Sequence, residues 1–419
     1  MIANELPPRS LGSPPPWAFS RYWAGGLLVL LIGSWRLWWP AGSPDFPLVG
    51  WVTLPPRVAV GISVVSLSVL VAALIRIVVR PFDKRSNRAV WWAVAAALFV
   101  LFLVDQHRLQ PWAYQSAIYA CVFATMTAPQ AKRWLTPLAA GVYVYSAAGK
   151  FDFQFAHTVG VDFLAALLSP IGGIPESWDD STVSKLALLM PTGELLIGSG
   201  LLLAPVRRVA GLAAIAMHVT LIAILGPWSL DHSLGVLLWN GVLIGQAWFL
   251  FVDRRTTPMP MPHDDHSIVP AYVAKALVIV ALVMPLLERR GYWDHWLSWS
   301  LYSPHTSRVD VEFHRTTLDQ IPPSIGSHMA EDQDGDGWRR FETGAWSLQA
   351  RGVPIYPQSR YQLALIERLC RRYGIDQGVR VVVKGTSDRW TGRREAVRLL
   401  GLDEIRRQTT VGRISDPPW

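Results

Sequence analysis

About nine long apolar runs occupy most of the first 287 residues of this 419-residue chain. A helix needs about 20 apolar residues to cross the hydrocarbon core of a bilayer, which is about 30 Å thick. The amphipathic stretch 151–169 fits a re-entrant or surface helix, so eight or ten spans remain alternatives. We predict an all-α polytopic membrane bundle of about nine transmembrane helices, at residues 22–39, 57–79, 89–105, 111–128, 134–150, 183–204, 207–226, 232–252 and 268–287.

The composition favours a lipid bilayer as the partner of these runs. Only 17% of the residues are charged, and the mean hydropathy is +0.25. Tryptophan occurs 21 times, and its amphipathic indole ring prefers the headgroup layer at the ends of a span. Many of the tryptophans do lie at run boundaries, namely Trp23, Trp38, Trp39, Trp51, Trp91, Trp92, Trp112, Trp134, Trp228 and Trp248.

Lysine and arginine collect in alternate loops, and cytoplasmic loops retain such residues during membrane insertion. We therefore attribute the net charge of +8 to topology and predict no nucleic-acid partner. The pattern predicts a multi-pass protein of the cell membrane with a cytoplasmic, proline-rich N-terminus (1–21), a helical domain (22–287) and an extracytoplasmic domain (288–419). The basic residues are Arg80, Lys84, Arg85 and Arg88 in loop two, Lys132 and Arg133 in loop four, Arg207 and Arg208 in loop six, and Arg254 and Arg255 in loop eight.

The segment 288–419 has the mixed, turn-rich composition of a small α+β domain. Its periodicity predicts a helix at 358–373, a strand at 379–383 and a second short helix at 393–400. Aromatic residues at spacings of three follow the last span and predict a helix on the outer interface or, alternatively, an aromatic substrate-binding wall. They are Tyr292, Trp293, Trp296, Trp299 and Tyr302.

One acidic turn in this domain resembles part of a calcium-binding loop. Asp332, Asp334 and Asp336 have the spacing that places alternate carboxylates around the ion, with a glycine following. The twelfth position is Thr343, and Glu342 lies one residue too early to supply the expected bidentate ligand. Calcium binding and an acidic surface turn are both compatible with this pattern, and no other metal-ligand spacing is evident.

Ionisable side chains collect at the outer boundary of the predicted bundle, where they predict an outward-facing polar cavity. We assign catalytic roles to the lysine and histidines and substrate binding to the others. Interfacial side chains that simply pair with one another are the alternative interpretation. The catalytic candidates are Lys150, His157, His218 and His107, and the substrate-binding candidates are Asp105, Arg108, Asp152, Glu194 and His232.

The segment from Tyr145 to His157, which begins Tyr-Ser-Ala-Ala-Gly-Lys-Phe-Asp, resembles the Tyr-x-x-Ala-Gly-x-Lys-Leu motif of the horizontally transferred transmembrane domain (HTTM) family. That family includes the vitamin K-dependent gamma-carboxylases, and DoxX-like and MauE-like membrane proteins carry a looser form. The resemblance implies that Lys150 acts as a base in quinone-linked chemistry. The chain differs from the carboxylases at Gly149, where they carry a second lysine, and we recognise no propeptide-binding region.

Three functions are compatible with the sequence. The first is a membrane enzyme or redox accessory that binds a quinone or another lipid-soluble molecule, with Lys150 as base. The second is a transporter or channel for a small solute, lined by Glu194 and His218, in which Pro191, Gly193 and Gly198 interrupt span six. The third is an assembly factor whose outer domain binds a partner while the spans act as its anchor.

Overall fold

The computed structural model describes residues 18–39, 54–80, 84–253, 268–332 and 334–411. A helical bundle is followed by a smaller α+β unit. Short 3₁₀ or π stretches join or extend the bundle helices at Gln106–Arg108, Ser169–Ile171, Trp248–Val252 and Met284–Arg290. The bundle helices are α1 (Ala18–Gly33), α2 (Trp35–Trp38), α3 (Pro56–Val79), α4 (Lys84–Val104), α5 (Pro111–Thr125), α6 (Ala128–Lys150), α7 (Phe153–His157), α8 (Val159–Leu168), α9 (Asp180–Ala187), α10 (Leu189–Leu202), α11 (Arg207–Leu225), α12 (Leu234–Ala247) and α13 (Ile268–Val283).

Six helical stretches in the described part of the chain are long and apolar enough to cross a membrane. They coincide with six of the predicted spans and agree with a helical membrane protein, although they do not establish the count of nine. The basic loop residues Arg254 and Arg255 lie outside the described residues. The six stretches are Pro56–Val79, Asn87–Val104, Asp180–Leu202, Arg207–Leu225, Leu234–Val252 and Pro270–Arg290.

The remaining three predicted spans are helical too, but each differs from a typical span in length or composition. α1 has 16 residues and α5 has 15, while α6 has 23 but carries Lys132 and Arg133 near its start. Nearly every side chain of α5 is buried, because the helix packs against α1, α4, α6 and α13. Other helices rather than lipid therefore surround α5. This helix does not need an apolar face directed toward lipid.

The stretch 151–169, for which we predicted a re-entrant or surface helix, forms the short helices α7 and α8. α8 packs against α9 and α11 at the end of the bundle where α6 finishes. Helix α9 is separated from α10 by a single residue, Leu188, so span six is two consecutive helices.

The α+β unit consists of β1 (Arg308–His314), α14 (Pro323–Gly326), β2 (Trp338–Arg340), α15 (Thr343–Arg351), α16 (Ser359–Tyr373), β3 (Val379–Lys384), β4 (Ala396–Leu400) and α17 (Gly401–Val411), with a 3₁₀ turn at Arg315–Gln320. The strands form a four-stranded antiparallel sheet in the order β2-β1-β3-β4. Alternate valines of β3 are buried, and α16 packs across β1 and β3 to cover them. The predicted helix 358–373 and strand 379–383 are confirmed as α16 and β3.

The prediction of a helix at 393–400 was wrong, because its second half is strand β4. Leu399 pairs with Val381 of β3 and is buried, so sheet pairing outweighs the local helix preference of the Arg-Arg-Glu-Ala sequence. The helix begins only at Gly401, whose φ of +72° suits glycine at the sharp turn out of the strand.

The predicted interfacial helix at 292–302 was also wrong. This segment consists of turns, and Trp299 is fully buried with its indole N–H donating to the Ala281 carbonyl at 3.2 Å. Trp299 and Tyr302 both have positive φ, at +59° and +56°, which is uncommon for residues with a side chain. Tertiary packing holds the segment in this irregular path instead of a helix along a membrane surface.

The α+β unit packs on one end of the bundle. The Phe153 backbone N–H donates to the Arg389 carbonyl at 2.8 Å, and the Gln154 amide donates to the Gly392 carbonyl at 2.9 Å. On another side of the same end, the Arg36 guanidinium donates to the Gln349 carbonyl at 2.7 Å. The end of α6, with Lys150, is therefore the end that the α+β unit covers.

A buried charged group lies inside this interface. The Asp105 carboxylate forms an ion pair with Arg351 of α15, and one of its oxygens lies 3.9 Å from the Arg108 Nε. Arg108 also donates to the Ser63 hydroxyl at 2.8 Å. Burial by itself would raise the pKa of Asp105, but the charges of Arg351 and Arg108 outweigh it and lower the pKa below its ordinary value. These contacts tie α3, the loop after α4 and the α+β unit together.

His107 is buried in the same interface. Its Nε2 donates to the Pro354 carbonyl at 2.8 Å in the neutral tautomer that this contact requires. Burial, followed by the positive charge of Arg351, lowers the pKa of His107 to about 3. The imidazole is therefore neutral in the folded protein at pH values where an unfolded chain would protonate it.

We expect this histidine to make the fold sensitive to mild acid. The pKa of His107 is lower in the folded protein than its ordinary 6.5, so the unfolded chain binds a proton at this histidine more strongly than the folded protein does. The free energy of unfolding therefore falls as the pH drops from 6.5 toward 3. Wild-type protein in detergent should lose stability relative to His107→Gln by up to about 1.4 kcal/mol per pH unit between pH 6 and 4. Unfolding curves measured across this range check the slope.

His328→Gln, which changes a partly buried histidine of the α+β unit, is the matched control and should keep the wild-type slope. If His107→Gln and wild type lose stability in parallel from pH 6 to pH 4, His107 is not the group responsible.

Candidate functional site

A cavity of about 590 Å³ lies at the covered end of the bundle. Its wall is formed by α5, α6, α7, α8, α10, α11 and α12, and the segments 295–306 and 353–357 of the α+β unit close it. Most of the lining is apolar, with a small number of polar side chains that converge on the space. Those polar residues include Gln110, Tyr143, Ser146, Lys150, Glu194, His218, His232 and Asn240.

Lys150, the last residue of α6, points into this cavity. Its Nζ lies 2.6 Å from the Glu194 Oε2 on α10 and donates to the Ser146 hydroxyl at 2.8 Å. The two charged side chains are only 9% and 13% exposed. Ser146 lies one helical turn before Lys150, so α6 itself supplies one of the lysine's two partners.

Close packing between α6 and α10 sets the geometry of this ion pair. Gly198, one turn beyond Glu194, has no room for a side chain, since an added Cβ would lie 2.9 Å from the Tyr143 Cβ and 3.0 Å from the Val144 backbone nitrogen. The glycine lets the two helix backbones approach each other closely. The carboxylate of Glu194 can then reach the end of the lysine side chain.

A second polar network crosses the cavity wall through three helices. The Asn240 amide donates to the Val236 carbonyl at 2.9 Å, which turns its oxygen toward the His218 Nδ1 at 2.8 Å. The histidine therefore carries its proton on Nδ1, and its Nε2 accepts the Tyr143 hydroxyl proton at 2.8 Å. This neutral imidazole is held in one orientation by partners on both ring nitrogens.

The segment 295–306, here called the covering segment, approaches the end of α6 because Gly149 has no side chain. An added Cβ on Gly149 would lie 2.6 Å from the Ser303 hydroxyl, so this glycine provides the space that Ser303 occupies. Trp296 and Tyr302 of the same segment also line the cavity, and the Tyr302 ring meets His232 edge to face at 5.5 Å. The segment thus supplies an aromatic wall, the alternative interpretation of these residues, rather than an interfacial helix.

The structure brings together four of the predicted site residues and separates the others. Lys150, Glu194, His218 and His232 all line the cavity. Asp152 is buried outside it, where it pairs with Arg289 at 2.9 Å and caps α7. His157 is exposed and stacks on Phe153, with ring centroids 4.0 Å apart. Asp105, His107 and Arg108 belong to the interface with the α+β unit.

Tyr143, Asn240 and Trp296 are among the cavity residues that the sequence did not predict as site residues. Tyr143 lies seven residues before Lys150, which places both on the same face of α6. This spacing was available in the sequence as a signal. Asn240 is a polar residue within an apolar span, a feature that marks functional positions in membrane helices. Trp296 belongs to the aromatic segment after the last span, and that spacing is its signal in the sequence.

The predicted calcium candidates lie on the surface, away from the cavity. The ligand oxygens of Asp332, Asp334 and Asp336 are within 4.8 Å of one another. The Asp332 carboxylate accepts the backbone N–H groups of Gly335 and Gly337 at 2.8 and 2.9 Å, and Asp336 pairs with Arg380. These carboxylates therefore stabilise the turn itself, as an acidic surface turn would.

No protein-family model matches the chain, no curated protein matches its sequence, and no solved structure matches its fold.

Gly198→Ala should separate α6 from α10 and destabilise the protein. Overpacking of a close contact costs about 1 to 3 kcal/mol, and here the obstructing atoms include backbone that cannot move aside. Gly193→Ala on the same helix is the matched control, because no atom lies within 4 Å of its added Cβ. Thermal unfolding in detergent should rank Gly198→Ala well below Gly193→Ala, and equal stabilities would contradict the packing argument.

Proposed function

We propose that the protein is a membrane enzyme that binds a lipid-soluble, quinol-type substrate in the cavity, with Lys150 as the proton acceptor. The observation that carries the proposal is the buried Lys150–Glu194 pair at the end of a mostly apolar cavity. The cavity volume of about 590 Å³ lies within the range of about 300 to 1,000 Å³ that is usual for small-molecule sites. An apolar ring or tail fits the wall, and a hydroxyl fits the polar end.

The step that these residues support is proton transfer. Movement of one proton from the Lys150 ammonium to the Glu194 carboxylate along their 2.6 Å contact produces a neutral amine beside a carboxylic acid. The amine can then accept the proton of a bound hydroxyl, so the substrate O–H bond breaks and an oxyanion remains beside the new ammonium. Exclusion of water by the apolar wall strengthens the attraction between that ammonium and the oxyanion.

The Tyr143–His218–Asn240 network suits substrate positioning better than proton uptake. Both nitrogens of the imidazole already have partners, so His218 needs reorganisation before it accepts a further proton. The tyrosine hydroxyl, fixed by the histidine, offers a lone pair to a substrate group in the cavity. We propose that Tyr143 accepts a hydrogen bond from the substrate while Lys150 removes a proton.

The resemblance of the Tyr145–His157 segment to the HTTM family suggests the same assignment for Lys150, and we propose this relationship as well. We also propose the topology given by the loop charges, with a cytoplasmic N-terminus and the cavity and α+β unit on the outer side. Under this arrangement a substrate reaches the cavity from the outer leaflet of the bilayer.

The other two functions receive less support from the geometry. Transport was linked to an interruption of span six around Glu194, but α10 runs continuously from Leu189 to Leu202 and the break lies earlier, at Leu188. An assembly factor requires the α+β unit to act as a partner-binding domain separate from its anchor. Here its segments 295–306 and 353–357 form part of the cavity wall.

The role of Lys150 can be tested with a short-chain alkyl naphthohydroquinone bound anaerobically to the purified protein. The absorbance of the probe changes when its hydroxyl ionises, so the pH of half-ionisation is measured directly. Loss of a neighbouring positive charge should raise this pH in Lys150→Met by about 1 to 3 units. Binding itself is monitored by quenching of tryptophan fluorescence, because Trp112, Trp239 and Trp296 line the cavity.

His157→Ala is the control, since this histidine is exposed and lies outside the cavity. It should bind the probe and ionise it as wild type does. A probe that fails to bind wild type argues against the substrate class. A probe that binds but ionises at the same pH in wild type and Lys150→Met argues against lysine as the proton acceptor.

A further inference from the structure

Two histidines and a glutamate meet at the junction between the last span and the α+β unit. Glu288 belongs to the 3₁₀ stretch after α13, while His295 and His305 belong to the irregular segment that leads to β1. The His295 Nδ1 lies 2.8 Å from the Glu288 Oε1, and the His305 Nε2 lies 2.9 Å from the same oxygen. Neither the ion pairs of the cavity nor the contacts of Asp105 use these three side chains.

The three side chains converge closely enough to bind one metal ion. One potential ligand atom from each residue lies within 4.8 Å of the other two. Two donors that each lie about 2.1 Å from one ion are separated by about 3.4 Å at the tetrahedral angle, so the two distances observed here open by about 0.5 Å when the ion binds. The side chains are 10%, 5% and 0% exposed for Glu288, His295 and His305, so water offers little competition for the ligand atoms.

We propose that Glu288, His295 and His305 form a binding site for a divalent first-row transition metal, with zinc as the reference ion. Two imidazoles and one carboxylate disfavour calcium and magnesium, which prefer sets of oxygen ligands. Three protein ligands also leave at least one coordination position for water or another molecule, as in catalytic zinc sites. Because both imidazoles donate to Glu288 in this structure, binding moves the His295 proton to Nε2 and the His305 proton to Nδ1.

The surroundings of the three residues support a ligand at this position. A small cavity of about 50 Å³, large enough for water, is lined by Glu288 and His295. Two of its lining residues carry a buried polar atom without a hydrogen-bond partner in the described part of the chain, the Trp293 Nε1 and the Gln358 Oε1, and the Nδ1 of the cluster residue His305 lacks a partner as well. Such atoms are uncommon in folded proteins and indicate water or an ion that completes the site.

The proposed metal site adjoins the larger cavity. His295 lines both cavities, and Trp296, the next residue, lies in the wall of the larger one. A metal bound here would therefore hold the covering segment in place at the base of the loop that carries Trp296, Tyr302 and Ser303. The inference stands independently of quinol binding, because it rests on different side chains.

The test uses full-length protein in detergent, treated with a chelator and then titrated with Zn²⁺ against a chromophoric competitor. We expect one zinc ion per chain, and binding at least about 100-fold weaker in His295→Ala and His305→Ala, because even outer-shell changes cost 10- to 100-fold. His328→Ala removes a histidine of the same unit outside the cluster and should bind as wild type does. Circular dichroism establishes that each variant keeps its helix content.

X-ray absorption on the zinc-loaded wild type provides a measurement that needs no variant. Two imidazoles and oxygen ligands at about 2.0 to 2.1 Å, without sulfur, are expected around the ion. Absence of zinc from the wild type, fewer than two imidazoles in the spectrum, or unchanged affinity in folded His295→Ala and His305→Ala would each overturn the proposal.

Discussion

A charge enclosed in a membrane protein is tolerated only when another group compensates it. The covered end of this bundle is organised around that requirement. Lys150 is paired with Glu194, and Asp105 is paired with Arg351. The first pair links α6 and α10 at the cavity, and the second links the α+β unit to the loop after α4. One pair therefore lies in the wall of the cavity and the other in the interface with the unit that covers it.

The segment between the last span and β1 connects the functional features of the molecule. It begins at Glu288, passes His295 and Trp296, and reaches His305 just before the sheet. Its path is irregular, with positive φ at Trp299 and Tyr302. This path places aromatic rings in the wall of the larger cavity and imidazoles at the adjoining proposed metal site. Strained backbone held by its surroundings is a frequent property of functional segments. The proposed substrate cavity and the proposed metal site therefore share one structural element.

Much of the fold was predictable because it depends on local pattern. The apolar runs predicted helical segments throughout the bundle, and the change of composition near Glu288 marked the α+β unit. Prediction failed where long-range contacts decide the structure. The stretch that ends at Leu400 became a strand because β3 was available to pair with it. The aromatic segment around Trp299 became irregular because its indole ring is buried beneath the bundle end.

The sequence by itself determined the hydrophobic character of the helices, the side chains able to carry charge and the end of α6 at which Lys150 lies. Only the tertiary structure decided which of those charges share a space. Glu194 and His218 are 44 and 68 residues from Lys150, and the close approach of helices at Gly198 brings Glu194 to it. His107 carries the same imidazole group as His218, but it is buried in the interface with the α+β unit and does not line the cavity. Local sequence specifies which chemical groups a helix carries, whereas helix packing determines which groups face one another.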